Sequence, residues 1–494
     1  MARLAYRIVL TALALGLATG AFAASIDPVG LWASMMKTPD GDLRTVYEVS
    51  RNPDGSLHVT EYCPDQGEDR VPVDSFTIAD GMLRIRVRAI GGRFEGKLNA
   101  EGTEAVGEWK QPGGPPLPET LVRVEKVPGP SSNPWRWPKK PNRPQTPTQP
   151  YPYAEEEVSY ENAAAGVKLA STLTYPKSGG PFPAVLLIAG SGPLDRDSEA
   201  FGHKLFLILA DYLTRRGIAV LRADKRGVGG STGDGDNATT MDFVGDALAG
   251  VAYLKTRKEI DPRRMGLVGH SEGANVAPIA ATRSSDVAFL VLLAPSGVTG
   301  DQIALAQDDQ ISRDEGTPED RVAKQHAERA KILAIIMQEK DNAVAEQRIR
   351  GLITARYAAM TNEEKKAEDV TSDSIDDEME AAREYLSPWS RFFLSYDPAP
   401  ILTTVKVSAL VMWGSKDLQA PPEQNRAPVE EALKASGCSY KIEVLPGLNH
   451  PFQTATTGTP AEYRRIEETM SPTAMKLIGD WIVETIQQGE MLQR

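Results

Sequence analysis

Positive charge is in short supply in this sequence, and cysteine is scarcer still. Its 494 residues carry 55 lysines and arginines against 67 aspartates and glutamates, a formal net charge of −12. No basic patch interleaved with aromatics offsets that balance. The composition therefore excludes nucleic acid and anionic membrane as partners. There are two cysteines, Cys63 and Cys438, far apart in the chain. They permit one disulfide in an oxidising compartment and, equally, two unpaired buried thiols. Long hydrophobic runs are missing beyond the N-terminus: no later segment approaches 18 uninterrupted apolar residues, which excludes stable membrane insertion by a helix. What remains is an ordinary globular composition, 41% hydrophobic, in a chain long enough for two or three units.

The first residues read MARLAYRIVLTALALGLATGAFAAS. Arg3 and Arg7 precede an apolar run from Ile8 to about Ala18, and Ala21-Phe22-Ala23 supplies a small-x-small cleavage site. This predicts a signal peptide over 1–23 and a periplasmic or secreted protein. Removing Arg3 and Arg7 takes the net charge to −14.

Three regions follow. Residues 24–126 alternate apolar and polar residues in stretches such as TVYEVS, SLHVTEY and MLRIRVRAI, with turn signals at Asp54-Gly55, Asp80-Gly81 and Glu101-Gly102. They predict a small antiparallel β domain, a meander or half-barrel, with Trp32 and Trp109 in its core. Residues 127–153 are dense in proline, which fixes φ and cannot donate to a ladder. They predict an extended, semi-rigid linker of about 3 Å per residue. From 154 to 494, continuous apolar segments such as FPAVLLIAGSG, IAVLRADKRG, RMGLVGHSEG, AFLVLLAP and KVSALVMWGSKD alternate with helical ones. That pattern predicts an α/β fold with a mostly parallel sheet covered on both faces, its active site beyond the carboxyl ends of the strands. Strongly helical, charged sequence interrupts it over about 299–398 and reads as a cap.

The pattern Gly-x-Ser-x-Gly matches this chain twice, at GHSEG (Gly269–Gly273) and GGSTG (Gly229–Gly233). Chance alone gives about 0.2 matches in such a chain, so context must decide. Ser271 follows a buried strand directly and precedes EGANVAPIAATR, whose small residues let a helix pack close. That is the setting of a nucleophile elbow, where the flanking glycines relieve a strained turn. Ser231 lies in a polar loop without an immediate helix, and Pro278 predicts a kink or a shortened first segment in the helix after Ser271. A serine needs a base, and of His58, His203, His270, His326 and His450, only His450 follows a late strand and precedes the last helix. Asp417 stands in the loop after SALVMWG, 33 residues before His450. The order Ser271, Asp417, His450 is that of an α/β-hydrolase triad. For the oxyanion, the backbone N–H of Glu272 and that of Ser191 or Gly192 are the candidate donors.

With these residues in place the chain resembles the α/β-hydrolase superfamily over Tyr153 to about Gln488. More narrowly it resembles bacterial exported esterases with a serine-aminopeptidase-like hydrolase domain. The likeness rests on GSGPLDRD (Gly190–Asp197), DKRGVGGS (Asp224–Ser231) and GHSEG, with a β-rich N-terminal domain and a proline-rich linker. It implies a carboxylesterase that takes a small-molecule ester and needs no cofactor or metal, and it makes DKRGVGGS a structural loop near the site. A serine peptidase would use the same triad on amide bonds, with an acid such as Glu272, Asp195, Asp197 or one from the cap holding the substrate amine. A non-enzymatic envelope or binding protein is a third reading, which the triad opposes. Ser271 at the elbow also opposes epoxide hydrolase and dehalogenase chemistry, which use an aspartate there. The β domain is expected to cover the cleft or serve assembly, as in a homodimer.

Overall fold

The computed structural model describes residues 26–493 except 39–40, 53–54, 65–69, 88–90, 111–115, 128–141, 315, 368–369 and 371–373. The signal sequence read over 1–23 lies outside the described residues. The chain divides into two compact units, Met1–Lys140 and Pro141–Arg494.

The first unit is one nine-stranded antiparallel sheet. Alternation in the sequence turns one face of each strand inward, so Trp32, Tyr47, Phe94, Trp109 and Leu121 form the core of a half-barrel. Asp80 (φ 54°) and Gly81 (φ 73°) make the tight turn their dipeptide predicts. Three strands escape the sequence reading, the two-residue Val71–Pro72 and the longer Gly30–Thr38 and Leu117–Val124. The two longer ones pair with each other and join the two halves of the meander. The first of them, GLWASMMKT, lacks clean alternation, which is why it does not read as a strand.

The second unit carries an eight-stranded sheet. Its strands are β1 (Ala154–Asn162), β2 (Val167–Tyr175), β3 (Phe182–Ile188), β4 (Ala219–Ala223), β5 (Ile260–His270), β6 (Phe289–Leu293), β7 (Ser408–Gly414) and β8 (Tyr440–Leu445). Their order is β1-β2-β4-β3-β5-β6-β7-β8, antiparallel at the β1–β2–β4 edge and parallel elsewhere. Helices α1 (Leu205–Arg215), α2 (Thr240–Lys255) and α3 (Glu272–Arg283) are the crossovers that parallel pairing requires. The α3 helix runs through Pro278 without a break, so the shortened first segment expected there does not occur.

Between β6 and β7 the described residues form the cap helices α4 (Gly300–Asp314), α5 (Glu319–Gln338), α6 (Asn342–Ala359), α7 (Asn362–Ala367), α8 (Ser374–Glu384) and α9 (Pro388–Ser395). They share a core of their own around Leu333, Ile336, Ile349, Ile353 and Met379.

The described part of the proline-rich stretch, 142–153, is tied down rather than spanning freely. Arg143 donates to the carbonyls of Gly202, Arg464 and Ile466 at 2.7–3.0 Å, and Gln145 bonds the backbone of Thr469 and Met470. Proline leaves few donors in this segment, so side chains make its attachments.

Candidate active site

Ser271 occupies the single residue between β5 and α3, at φ 55° and ψ −118°. A non-glycine residue holds such a backbone only where its surroundings impose it. Here they do so through close approach. A Cβ on Gly269 would lie 2.0 Å from the Gly273 carbonyl oxygen, and one on Gly273 would lie 2.0 Å from that of Ile188 on β3. Both glycines of GHSEG are thus demanded by packing. The turn is pinned further by Ser271 N–H donating to Leu293 O at 2.8 Å.

His450 lies in the loop after β8 and Asp417 in the loop after β7, both buried. Their contact is bidentate: His450 Nδ1 stands 2.8 Å from Asp417 Oδ2 and 3.0 Å from Oδ1. Asp417 Oδ1 also accepts the backbone N–H of Gln419 (2.9 Å) and Ala420 (2.8 Å). Burial alone would push the Asp417 carboxyl up. The His450 charge and these hydrogen bonds outweigh it and hold Asp417 below the usual range. Asp417 is therefore an anion at neutral pH, and the Nδ1–H tautomer of His450 is the one it selects.

Ser271 and His450 line one cavity of about 200 Å³, with Gly190, Ser191, His203, His270, Gln419 and Tyr463 also in its wall. No hydrogen bond joins Ser271 to His450 in this structure. Of the two alternative oxyanion residues, Ser191 lines this cavity, while Gly192 lines only the neighbouring cavity of about 740 Å³ toward the cap. Glu272 begins α3, so its N–H is among the first-turn donors that a helix leaves without an intrahelical partner.

The Glu272 side chain has a role that the sequence does not announce. Its buried carboxylate accepts from Thr240 Oγ1 (2.8 Å), from Trp389 Nε1 on cap helix α9 (2.6 Å) and from Lys225 Nζ (3.2 Å). Lys225 also donates to Gly190 O at 2.8 Å and lies 4.0 Å from the Phe243 ring centroid. One carboxylate thus ties together the elbow, the loop after β3, helix α2 and the cap. Such convergence comes from residues up to 117 positions apart, and no local motif signals it.

The other candidates are consumed structurally. Ser231 Oγ donates to Asp224 O (2.8 Å) and accepts from Ala170 N (2.9 Å), which leaves it no role as a nucleophile. Asp224 takes three bonds from Arg196 at 2.8–3.0 Å, and Asp197 pairs with Arg222 at 2.9 Å. Asp195 Oδ1 accepts the backbone of Asp197 and Glu199. His326 pairs with Asp309 in the cap. His203 bonds Thr469 Oγ1 and Tyr463 O at 2.8 Å each, and burial lowers its basicity. His270, to which sequence reasoning assigned no role, donates Nε2–H to the His450 carbonyl at 3.0 Å. Burial, then the neighbouring His450, press its imidazole down to about 3, so it is neutral. Among the described residues no group of three or more His, Cys, Asp or Glu could hold a metal. Among the described residues there is no disulfide.

Residues 203–333 match a hydrolase family described as serine aminopeptidase, S33. The match contains Ser271 and Glu272 and ends before Asp417 and His450. The chain is 35% identical over 144 residues to esterase EstD of Thermotoga maritima, covering 29% of this chain and 34% of that protein. It is 34% identical over 130 residues to an uncharacterized protein of Mycobacterium tuberculosis, covering 26% of this chain and 42% of that one. The chain thus spans less than half the length of these curated relatives. Among solved structures it is similar to the Pyrococcus furiosus esterase Pf2001, with a TM-score of 0.40 at 15% identity over 71% of this chain and 98% of that one. For Est1E of Butyrivibrio proteoclasticus, solved with ferulic acid bound, the TM-score is 0.37 at 15% identity over 67% of this chain and 99% of that one.

Proposed function

We propose that the C-terminal unit is an α/β hydrolase and a serine esterase that cleaves carboxylic esters through an acyl-enzyme. The observation that carries this reading is the Asp417–His450 pair, buried behind the cavity into which the strained Ser271 turn opens. In this reading His450 Nε2 takes the Ser271 proton as Oγ attacks the ester carbonyl. Asp417 holds the imidazole in the required tautomer and stabilises the imidazolium that forms. The oxyanion is met by the N–H groups of Glu272, at the positive end of α3, and of Ser191. Ser191 is preferred to Gly192 because it lines the cavity. His450 then protonates the departing alcohol, and the same base activates water to release the acid. The 35% identical EstD bears the name esterase, which agrees with this chemistry.

An aminopeptidase needs a carboxylate for the substrate amine. Glu272 is saturated by three donors and Asp197 by Arg222, so neither serves. The test is a panel of p-nitrophenyl esters beside aminoacyl-p-nitroanilides, run on the purified protein and on Ser271→Ala. Ester turnover is expected to fall about a millionfold in the variant. Retention of more than a few per cent would reject Ser271, and cleavage of anilides without esters would transfer the enzyme to the peptidases.

A further inference from the structure

The inward face of the N-terminal half-barrel is not wholly apolar. Four adjacent strands turn Ser34, Thr45, Tyr47, Glu61 and Glu119 inward, in phase with the core positions Trp32, Met36, Val49, Val59 and Leu121. The register sets Ser34 beside Thr45, Trp32 beside Tyr47, and Tyr47 beside Glu61. Ser34 donates its hydroxyl to Glu119 Oε1. Each of the five is less than a tenth exposed, with Tyr47 at 0%, Thr45 at 1% and Glu119 at 2%. Yet Thr45 Oγ1, Tyr47 OH, Glu61 Oε2 and Glu119 Oε2 have no hydrogen-bond partner. Native interiors satisfy nearly all such atoms, so four together on one inward face call for a partner.

We propose that this inward cluster binds a small protonated amine, with Glu61 and Glu119 as counter-ions and Tyr47 and Thr45 as further acceptors. An ammonium offers several donors on one charge, which suits four unpartnered oxygens facing an apolar wall. An anion is repelled once the carboxyls ionise, and a neutral alcohol supplies no charge to hold them ionised. A divalent metal is disfavoured because no group of three His, Cys, Asp or Glu gathers here at metal-binding range among the described residues.

Among the described residues no protein cation performs the task. Arg123, the next inward position on its strand, donates to the carbonyls of Asp27 and Val29 instead, and no arginine or lysine is among the groups that act on Glu61 or Glu119. The titratable groups facing the cluster are Tyr47, Glu61, Glu119 and Cys63. Burial, then the Glu119 charge, push Glu61 up to about 8, and burial pushes Glu119 up to about 7. Both are the values of carboxyls lacking the cation that would hold them ionised. Amine binding must therefore release protons, and affinity must rise with pH until both acids are ionised in the free protein.

Isothermal titration of the full-length chain with n-butylammonium chloride, from pH 6 to pH 9 in amine-free buffer, tests this. Affinity is expected to rise about tenfold or more across that range. It should weaken at least tenfold in Glu61→Gln and in Glu119→Gln, with no response to n-butanol. Tyr47→Phe, which removes only the hydroxyl oxygen, covers the case in which a carboxamide variant misfolds, and it too should weaken binding. Absence of binding, an affinity indifferent to pH, unchanged affinity in the variants that fold, or a response to calcium chloride in place of the amine would each overturn the assignment.

Discussion

At the scale of single residues, the site is a set of side chains held where they would not rest by themselves. Ser271 adopts a positive φ because β5 and α3 meet there at glycine distance. His270 stays neutral beneath His450 and fixes its backbone. Asp417 carries the clearest test. Its Oδ1 is already held by two backbone N–H groups, so Asp417→Asn should keep the loop in place, with the amide carbonyl replacing that oxygen. The amide NH2 would then face His450 Nδ1, and a donor there selects the tautomer that cannot take the Ser271 proton. Turnover of a p-nitrophenyl ester should fall about ten-thousandfold, with the far-UV circular dichroism unchanged. Activity within tenfold of the parent would mean that another acid orients the histidine.

At the scale of elements, glycine decides how closely helix and sheet approach. A methyl on Gly273 meets the backbone of Ile188, which cannot turn aside as a flexible side chain would. Gly273→Ala should destabilise the second unit by about 1–3 kcal/mol or more. Gly351, inside cap helix α6, has nothing within 4 Å of the same added atom. Gly351→Ala should stabilise by about 0.5–1 kcal/mol through helix propensity alone. Denaturant titrations of the two variants should therefore move in opposite directions, and a shared direction would refute the packing argument.

The same contrast explains what could be read in the chain. The elbow was legible because strand, glycines, serine and small-residue helix are contiguous; Asp417 was legible in the loop after the buried apolar β7, and His450 by its place between the half-buried β8 and the last helix. The β1–β2 hairpin was not, since its edge strand AEEEVSYEN is largely polar. Nor was the Glu272–Trp389–Lys225 junction, which exists only after the cap folds back. The inward acids left a readable trace: Glu61 follows Val59 by two residues, and Glu119 sits midway between Leu117 and Leu121. An acid in phase with an apolar stripe is the signal, and it needs the strand assignment before it can be noticed.

At the scale of the whole molecule, the two units respond to pH with opposite signs. In the second unit, burial would raise Asp224, Asp242, Asp261 and Asp417, but their partners win and hold all four below the usual range. Their stabilisation is present above the unfolded value near 3.8 and is lost as pH falls below it. In the half-barrel, Glu61 and Glu119 go the other way, from 4.5 to about 8 and about 7. Below pH 4.5 both are protonated whether folded or not, so they have no effect. Between that point and about 8 the unfolded chain releases protons that the folded unit retains, and stability declines with rising pH. A tenfold difference in proton affinity between the folded and unfolded chain corresponds to about 1.4 kcal/mol, so the decline amounts to several kcal/mol for the coupled pair. The units have separate hydrophobic cores, so calorimetry should resolve two transitions. In amine-free buffer the half-barrel transition should move down in temperature from pH 5 to pH 8 while the transition of the second unit holds. Glu61→Gln, neutral at every pH, should remove most of that slope. A half-barrel midpoint that stays constant from pH 5 to pH 8 would show that the two acids are ionised throughout, with a cation already beside them.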